Sequence, residues 1–82
     1  MQSKNFTYPI DDAWSTAEIV AVVDFLGIIE QANESRVAKE LILKKYAAFK
    51  AVVPSIAEEK RIDRAFERES GYSIYKTIKG LK

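Results

Sequence analysis

From residue 15 to residue 32, apolar side chains recur at the spacing of a helix buried on most of its sides. Ile19, Val22, Val23, Leu26 and Ile29 form one stripe. Ala21, Phe25 and Ile28 widen it to roughly 220° of arc at about 100° per residue. Only a narrow strip around Thr16, Asp24, Gly27 and Gln31 is left for solvent. An outer helix of a bundle needs little more than about 100° of apolar face. This first helix is therefore expected either at the centre of the fold or partly covered by another subunit. Ser15 and Glu18 have the spacing of a capping box, and Trp14 with Ile19 that of a hydrophobic staple. Together they predict a helix over about 16–32.

A second helix is predicted over about 36–52, capped by Ser35 or Asn33. Val37, Leu41, Ala48 and Val52 share a face with Ile42, Tyr46, Phe49 and Val53, while Lys39, Glu40, Lys44 and Lys50 take the other side. Lys45 falls inside the apolar arc and is expected to snorkel past the core edge. Pro54 ends the helix by disfavouring helical geometry at Val53. Ser55 and Glu58 form a second capping-box pattern opening a helix over about 56–70. Gly71 suits the left-handed position beyond its end, with Tyr72 folding back onto Phe66 or its neighbours as in a Schellman motif. The apolar stripe of this third helix is thin: Ile62, Ala65 and Phe66. Ser73 can cap a short final helix over about 74–79 that buries Ile74, Tyr75 and Ile78 and stops at Gly80. Residues 1–14 read as an irregular arm. Phe6, Tyr8 and Ile10 alternate around Pro9, and the arm is expected to lie extended across the helices and bury its rings. The predicted fold is all-α: a small bundle of three main helices plus a short C-terminal helix, with an extended N-terminal arm, in one domain spanning residues 1–82.

Composition changes the picture mainly by exclusion. The chain has 82 residues, 48% of them hydrophobic, and neither histidine nor cysteine. A single core is feasible at this length without staples, with a stability of about 4–12 kcal/mol. Without Cys there is no disulfide frame, thiol nucleophile or zinc knuckle. Without His there is no Ser-His-Asp relay and no side chain whose unperturbed pKa lies near neutrality. No glycine-rich phosphate loop occurs, and no cofactor is expected. No secretion signal is visible near the start, and the apolar run from Ile19 to Ile29 is too short to span a membrane. A cytoplasmic location without membrane association is the expectation.

The net charge of +1 conceals a division. Residues 1–34 carry one cation against six acids, a net −5, and residues 35–82 carry twelve cations against six acids, a net +6. A neutral chain split in this way suggests oppositely charged surfaces that meet within the chain or across a dimer. On the third helix, Lys60, Arg61, Arg64 and Arg68 make a basic ridge beside an acidic one of Glu59, Asp63 and Glu67. The basic ridge is a candidate for nucleic-acid phosphates. Residues 55–70 nevertheless carry four cations against five acids, which weighs against a recognition helix. The acidic ridge is a candidate for a carboxylate-metal hydrolase, but one helix face needs ligands from a second element to make a site.

Several short motifs follow one another in order. Tyr8-Pro9-Ile10-Asp11, Trp14-Ser15-Thr16 and Glu18 come first. Tyr46, Phe49-Lys50, Val53-Pro54-Ser55 and Glu58-Glu59-Lys60 follow, then Phe66, Ser70-Gly71-Tyr72-Ser73 and Tyr75. In these the chain, over about residues 8–76, resembles uncharacterised protein family 0223, small cytoplasmic proteins of low-GC Gram-positive bacteria. The resemblance implies a compact all-helical fold. It implies no enzyme activity and brings no catalytic residues. Most motif residues have plain structural roles: Ser15, Glu18, Ser55, Glu58 and Gly71 as caps and a stop, and Trp14, Tyr46, Phe49, Phe66, Tyr72 and Tyr75 as core. Lys50 and Lys60 are less easily explained by packing. The wide apolar arc of the first helix and the charge division point to a non-enzymatic interaction module or homodimer, with an unidentified protein or a second copy as partner. Its candidate surface comprises Asp11, Lys50, Lys60, Arg61, Arg64 and Arg68.

Overall fold

A computed structural model describes residues 10–81. The rings of Phe6 and Tyr8, expected to pack in the arm, lie outside the described residues. Among those described, the elements are α1 (Thr16–Glu34), α2 (Lys39–Val52), α3 (Ile56–Ser70) and α4 (Ile74–Lys79), with no strand. The all-α architecture is thus three main helices and a short fourth.

The start of α1 is closed as the sequence requires. Ser15 Oγ accepts from the Glu18 N–H at 3.2 Å, and Glu18 Oε1 accepts from the Ser15 N–H at 2.8 Å. The helix runs two residues past its predicted end, because Ser35 closes α1 instead of opening α2: its N–H and Oγ both donate to the Gln31 carbonyl. Asn33 is not a cap either. It lies within α1, and its Nδ2 donates to the Ile29 carbonyl at 2.8 Å and to Thr77 Oγ1 at 3.0 Å, tying α1 to α4. The N-cap of α2 is Ala38, which supplies no side-chain bond.

Helix α1 is central. It packs along α2 on one side and against α4 on another. Val22, Phe25, Leu26 and Ile29 of α1 join Ile42, Phe49 and Val53 from α2 and its end, Ile62 and Phe66 of α3, and Ile74 of α4 in one core. Stacked aromatics mark its middle. The Phe25 ring lies 4.8 Å from Phe49 at 26° and 5.5 Å from Tyr46 at 41°. Every residue of the broad arc is buried or half-buried, and the 51%-exposed Val20 lies in the polar strip with Thr16, Gly27 and Gln31. On α2 the buried face is narrower than its pattern suggests. Leu41 and Ala48 face solvent, because α1 covers only the side bearing Ile42 and Phe49. Lys45 does snorkel, reaching Asp24 Oδ2 at 3.7 Å.

Helix α3 keeps only half of its expected capping box. Ser55 Oγ accepts from the Glu58 N–H at 3.3 Å, but the Glu58 carboxylate turns to Arg61 one turn on, where a charge-assisted pair is available. Its C-terminus is a simple left-handed stop, not a Schellman motif. The Gly71 N–H donates to the Glu67 carbonyl at 2.8 Å, and the Tyr72 N–H is taken by Ser70 Oγ at 3.1 Å. Tyr72 turns its hydroxyl to Glu34 Oε2 at 2.9 Å, linking the α3–α4 turn to the end of α1. Gly71 has φ 85°, and a Cβ there would meet nothing within 4 Å. The cost of Gly71→Ala is thus conformational alone. It is expected to be about 1–2 kcal/mol in urea unfolding, and an unchanged midpoint would contradict a left-handed stop.

In α4, Ile74 is buried and Ile78 packs against the core. Tyr75, expected in the core, is instead 65% exposed. In so short a helix the i, i+4 pair of Ile74 and Ile78 takes the inner face, and Tyr75 lies about 100° round from it. No helix among the described residues is long and apolar enough to cross a membrane.

Candidate functional site

An open cleft of about 720 Å³ lies between α2, α3 and α4. Tyr46 comes to it from α2, Ile56, Glu59, Lys60, Asp63 and Arg64 from α3, and Ser73 and Tyr75 from the start of α4. Ile56 and Tyr75 are the two most exposed large apolar side chains of the described chain, at 67% and 65%. The pattern of α3 explains one wall. Ile56, Lys60 and Arg64 follow at intervals of four, so they line one face of the helix.

Two carboxylates in the cleft are held from within. Glu59 Oε1 accepts from Lys50 Nζ at 2.6 Å, and its Oε2 accepts from the Tyr46 hydroxyl at 2.9 Å. Tyr46 and Lys50 are one turn apart on α2, so a single carboxylate of α3 bridges both and pins the two helices together. Burial pushes the Tyr46 phenol from 10.0 up to about 12, and the hydrogen bond to Glu59 and its negative charge act in the same direction. The sign follows directly. Between pH 10 and about 12 the unfolded phenol loses its proton while the native one keeps it, so this contribution to stability is complete below pH 10 and is lost across that window. Urea midpoints measured through the window should fall more steeply for the wild type than for Tyr46→Phe. Parallel curves would contradict the coupling.

Asp63 closes the N-terminus of α4. Its Oδ1 accepts from the Ile74 N–H at 2.7 Å, and its Oδ2 accepts from the Tyr75 N–H and from Ser73 Oγ, each at 3.3 Å. Ser73 Oγ in turn accepts from the Lys76 N–H at 3.3 Å. Glu67 approaches Lys76 Nζ at 3.9 Å. The acidic ridge drawn from the sequence is therefore shared among three separate sets of partners. Among the described residues, no group of three or more acids is arranged to hold a metal ion.

The six candidate surface residues do not form one patch. Lys60 and Arg64 line the cleft. Lys50 is mostly buried against Glu59 beneath it. Arg61 turns away to a second concavity of about 350 Å³ with Ile10, Asp11, Asp12 and Trp14. There its guanidinium is pushed above its ordinary value, mainly by hydrogen bonds to Glu58 and by that charge, with Asp11 adding to the effect. Asp11 itself shapes the entry to α1: Oδ1 accepts from the Ala13 N–H at 2.9 Å and the carbonyl from the Trp14 N–H at 3.0 Å. Arg68 is exposed and lines neither concavity. Among the described residues, Lys60, Arg64 and Arg68 enter no ion pair.

Sequence reasoning missed Ile56 and Tyr75 as surface anchors and Tyr46 with Glu59 as a polar lock. A signal for Ile56 existed: it stands alone among charges on the side of α3 away from Ile62 and Phe66. No pattern in the chain announces that Glu59 meets Tyr46 and Lys50, because that contact joins two helices.

Comparison with known proteins adds lineage. The family model for the uncharacterised protein family UPF0223 matches residues 5–82. A UPF0223 protein of Streptococcus gordonii is 51% identical over 98% of this chain and 87% of its own length. One from Lactococcus lactis subsp. cremoris is 50% identical over 96% of this chain and 85% of its own length. A third, from Streptococcus mutans, is 49% identical with 98% and 87% covered.

Proposed function

The chain belongs to the uncharacterised protein family UPF0223, and on that premise we propose that it works without catalysis, as a cytoplasmic protein-interaction module whose docking surface is the cleft between α2, α3 and α4. One observation carries this reading. The two most exposed large apolar side chains, Ile56 and Tyr75, stand in the same cleft as two cations with no ion-pair partner among the described residues. Apolar anchors bordered by unpaired charge are what a protein-binding surface requires.

Placing a photo-crosslinking residue at position 75 in the cell that expresses the protein tests this. Adducts with another protein that persist after nuclease treatment, and disappear with crosslinker at position 44 on the far side of α2, are the expected result. Absence of any protein adduct at position 75 would defeat the reading.

Phosphate binding along Lys60, Arg64 and Arg68 is the other use of these cations. The five acids against four cations in residues 55–70 count against it. Adducts lost on nuclease treatment would favour it. Self-association draws instead on the exposed Val20 of α1, and a chain-to-chain adduct would report a second copy in the cleft.

A further inference from the structure

We infer that the occupant of this cleft is a short acidic segment of another protein, carrying a large apolar residue and two carboxylates. The inference rests on the interaction-module reading and names the partner chemistry of that same surface.

Charge decides the partner. Four ionisable groups of α3 line the cleft, and both carboxylates are engaged from inside the fold, Glu59 by a counter-charge and Asp63 by hydrogen bonds. Glu59 faces the Lys50 ammonium at 2.6 Å, and Asp63 accepts from the first amides of α4. Lys60 and Arg64 have no such counter-charge. The surplus presented to a ligand is therefore positive, although the formal count of the lining side chains is balanced. A basic segment would meet these two cations directly, whereas an acidic one complements them.

Spacing decides the length of the segment. Ile56, Lys60 and Arg64 stand on one line of α3, and the eight steps from first to last span about 12 Å at 1.5 Å per residue. An extended segment covers that length in about four residues at about 3.3 Å each. Ile56 stands at the first turn of α3 and the Tyr75 N–H meets Asp63 two turns on, so an apolar side chain of the segment would meet Ile56 or Tyr75 while its acids reach Lys60 and Arg64. A cleft of about 720 Å³ suits a few side chains of a segment and not the face of a folded domain. Arg64 has the guanidinium geometry that takes a carboxylate in two parallel hydrogen bonds.

The test pans a displayed library of random peptides, each about a dozen residues long, on the full chain. Counter-panning uses the Lys60→Glu, Arg64→Glu double variant. Enrichment of Asp- and Glu-rich peptides bearing Leu, Phe or Trp is expected. The best such peptide should bind about tenfold or more weakly to the double variant and to Ile56→Asp, and it should weaken severalfold between about 50 and about 500 mM NaCl. Arg68→Glu changes charge outside the cleft and should leave binding within about twofold. All four positions are exposed, so unchanged helicity and melting can be verified for each variant. Enrichment of basic or neutral peptides, or acidic peptides that bind the double variant equally well, overturns the inference. The crosslinking at position 75 separates the two levels. A protein adduct whose contacted segment lacks acids defeats the acidic occupant alone, whereas no protein adduct defeats the docking surface itself. A nuclease-sensitive adduct or a chain-to-chain adduct also overturns the acidic occupant.

Discussion

Phe49→Ala is expected to remove a large share of the protein's stability. A phenylalanine removed from a packed core costs about 3–5 kcal/mol, the lost transfer energy plus the cavity left behind. A chain of this length has about 4–12 kcal/mol in total. Phe49 is fully buried, and its ring stacks on Phe25 at 4.8 Å and lies 6.4 Å from Tyr46. Nothing can collapse easily into the space. The residues around it belong to α1 and α2, whose packing is the largest helix–helix contact in the fold. Urea unfolding followed by circular dichroism reads the loss, with Trp14 emission as a second probe because Trp14 packs against the core. Phe49→Leu keeps most of the volume and should retain most of the stability. A loss below about 1 kcal/mol for the alanine variant would contradict the packing described here.

The second large effect is at Asp63. Asp63→Ala should cost about 1–3 kcal/mol, combining the loss of a helix cap with the partly buried Ile74 amide left without its acceptor. The damage should be local. Ile74 is the buried anchor of α4, and with its first amides uncapped the helix is expected to separate from α1 and α3 before the rest unfolds. Hydrogen exchange locates the effect: amides of residues 74–79 should exchange much faster, while those at the centre of α1 slow down or speed up only with global stability. Asp63→Asn keeps an acceptor oxygen and should lie between wild type and alanine. Equal exchange in α4 for all three proteins would show that the carboxylate does not hold this helix. Since Tyr75 belongs to α4 and lines the cleft, the same variant should also weaken any ligand there.

These two residues differ in how far the chain announced them. Phe49 stands on the face of α2 with Ile42 and Val53, and helical periodicity alone assigns it to the core. Asp63 sits between Glu59 and Glu67 in an acidic ridge that, read along one helix, is indistinguishable from solvated charge. Its role appears only when α4 folds back and brings the Ile74 and Tyr75 amides to its oxygens. The same holds for Glu59, and for the division of the basic ridge into Lys60 and Arg64 in the cleft and Arg61 outside it. Tyr75 shows the opposite error. Its side chain is apolar enough to be assigned to the core, yet a helix of six residues has one inward face, and Ile74 and Ile78 occupy it.

The sequence by itself determined what depends on neighbours within a few residues. That includes the four helices, the capping box at Ser15, the stop at Gly71, the snorkelling of Lys45 and the aromatic core residues Phe25, Phe49 and Phe66. It also determined the absence of histidine and cysteine chemistry, since composition needs no fold. The tertiary structure alone decided which charges are satisfied and which are left over. Whether a carboxylate is free depends on donors distant in the chain: Lys50 and Tyr46 for Glu59, the start of α4 for Asp63. Periodicity places a side chain on a face of its own helix. Only packing determines what that face meets, and so where apolar surface and unpaired charge come together.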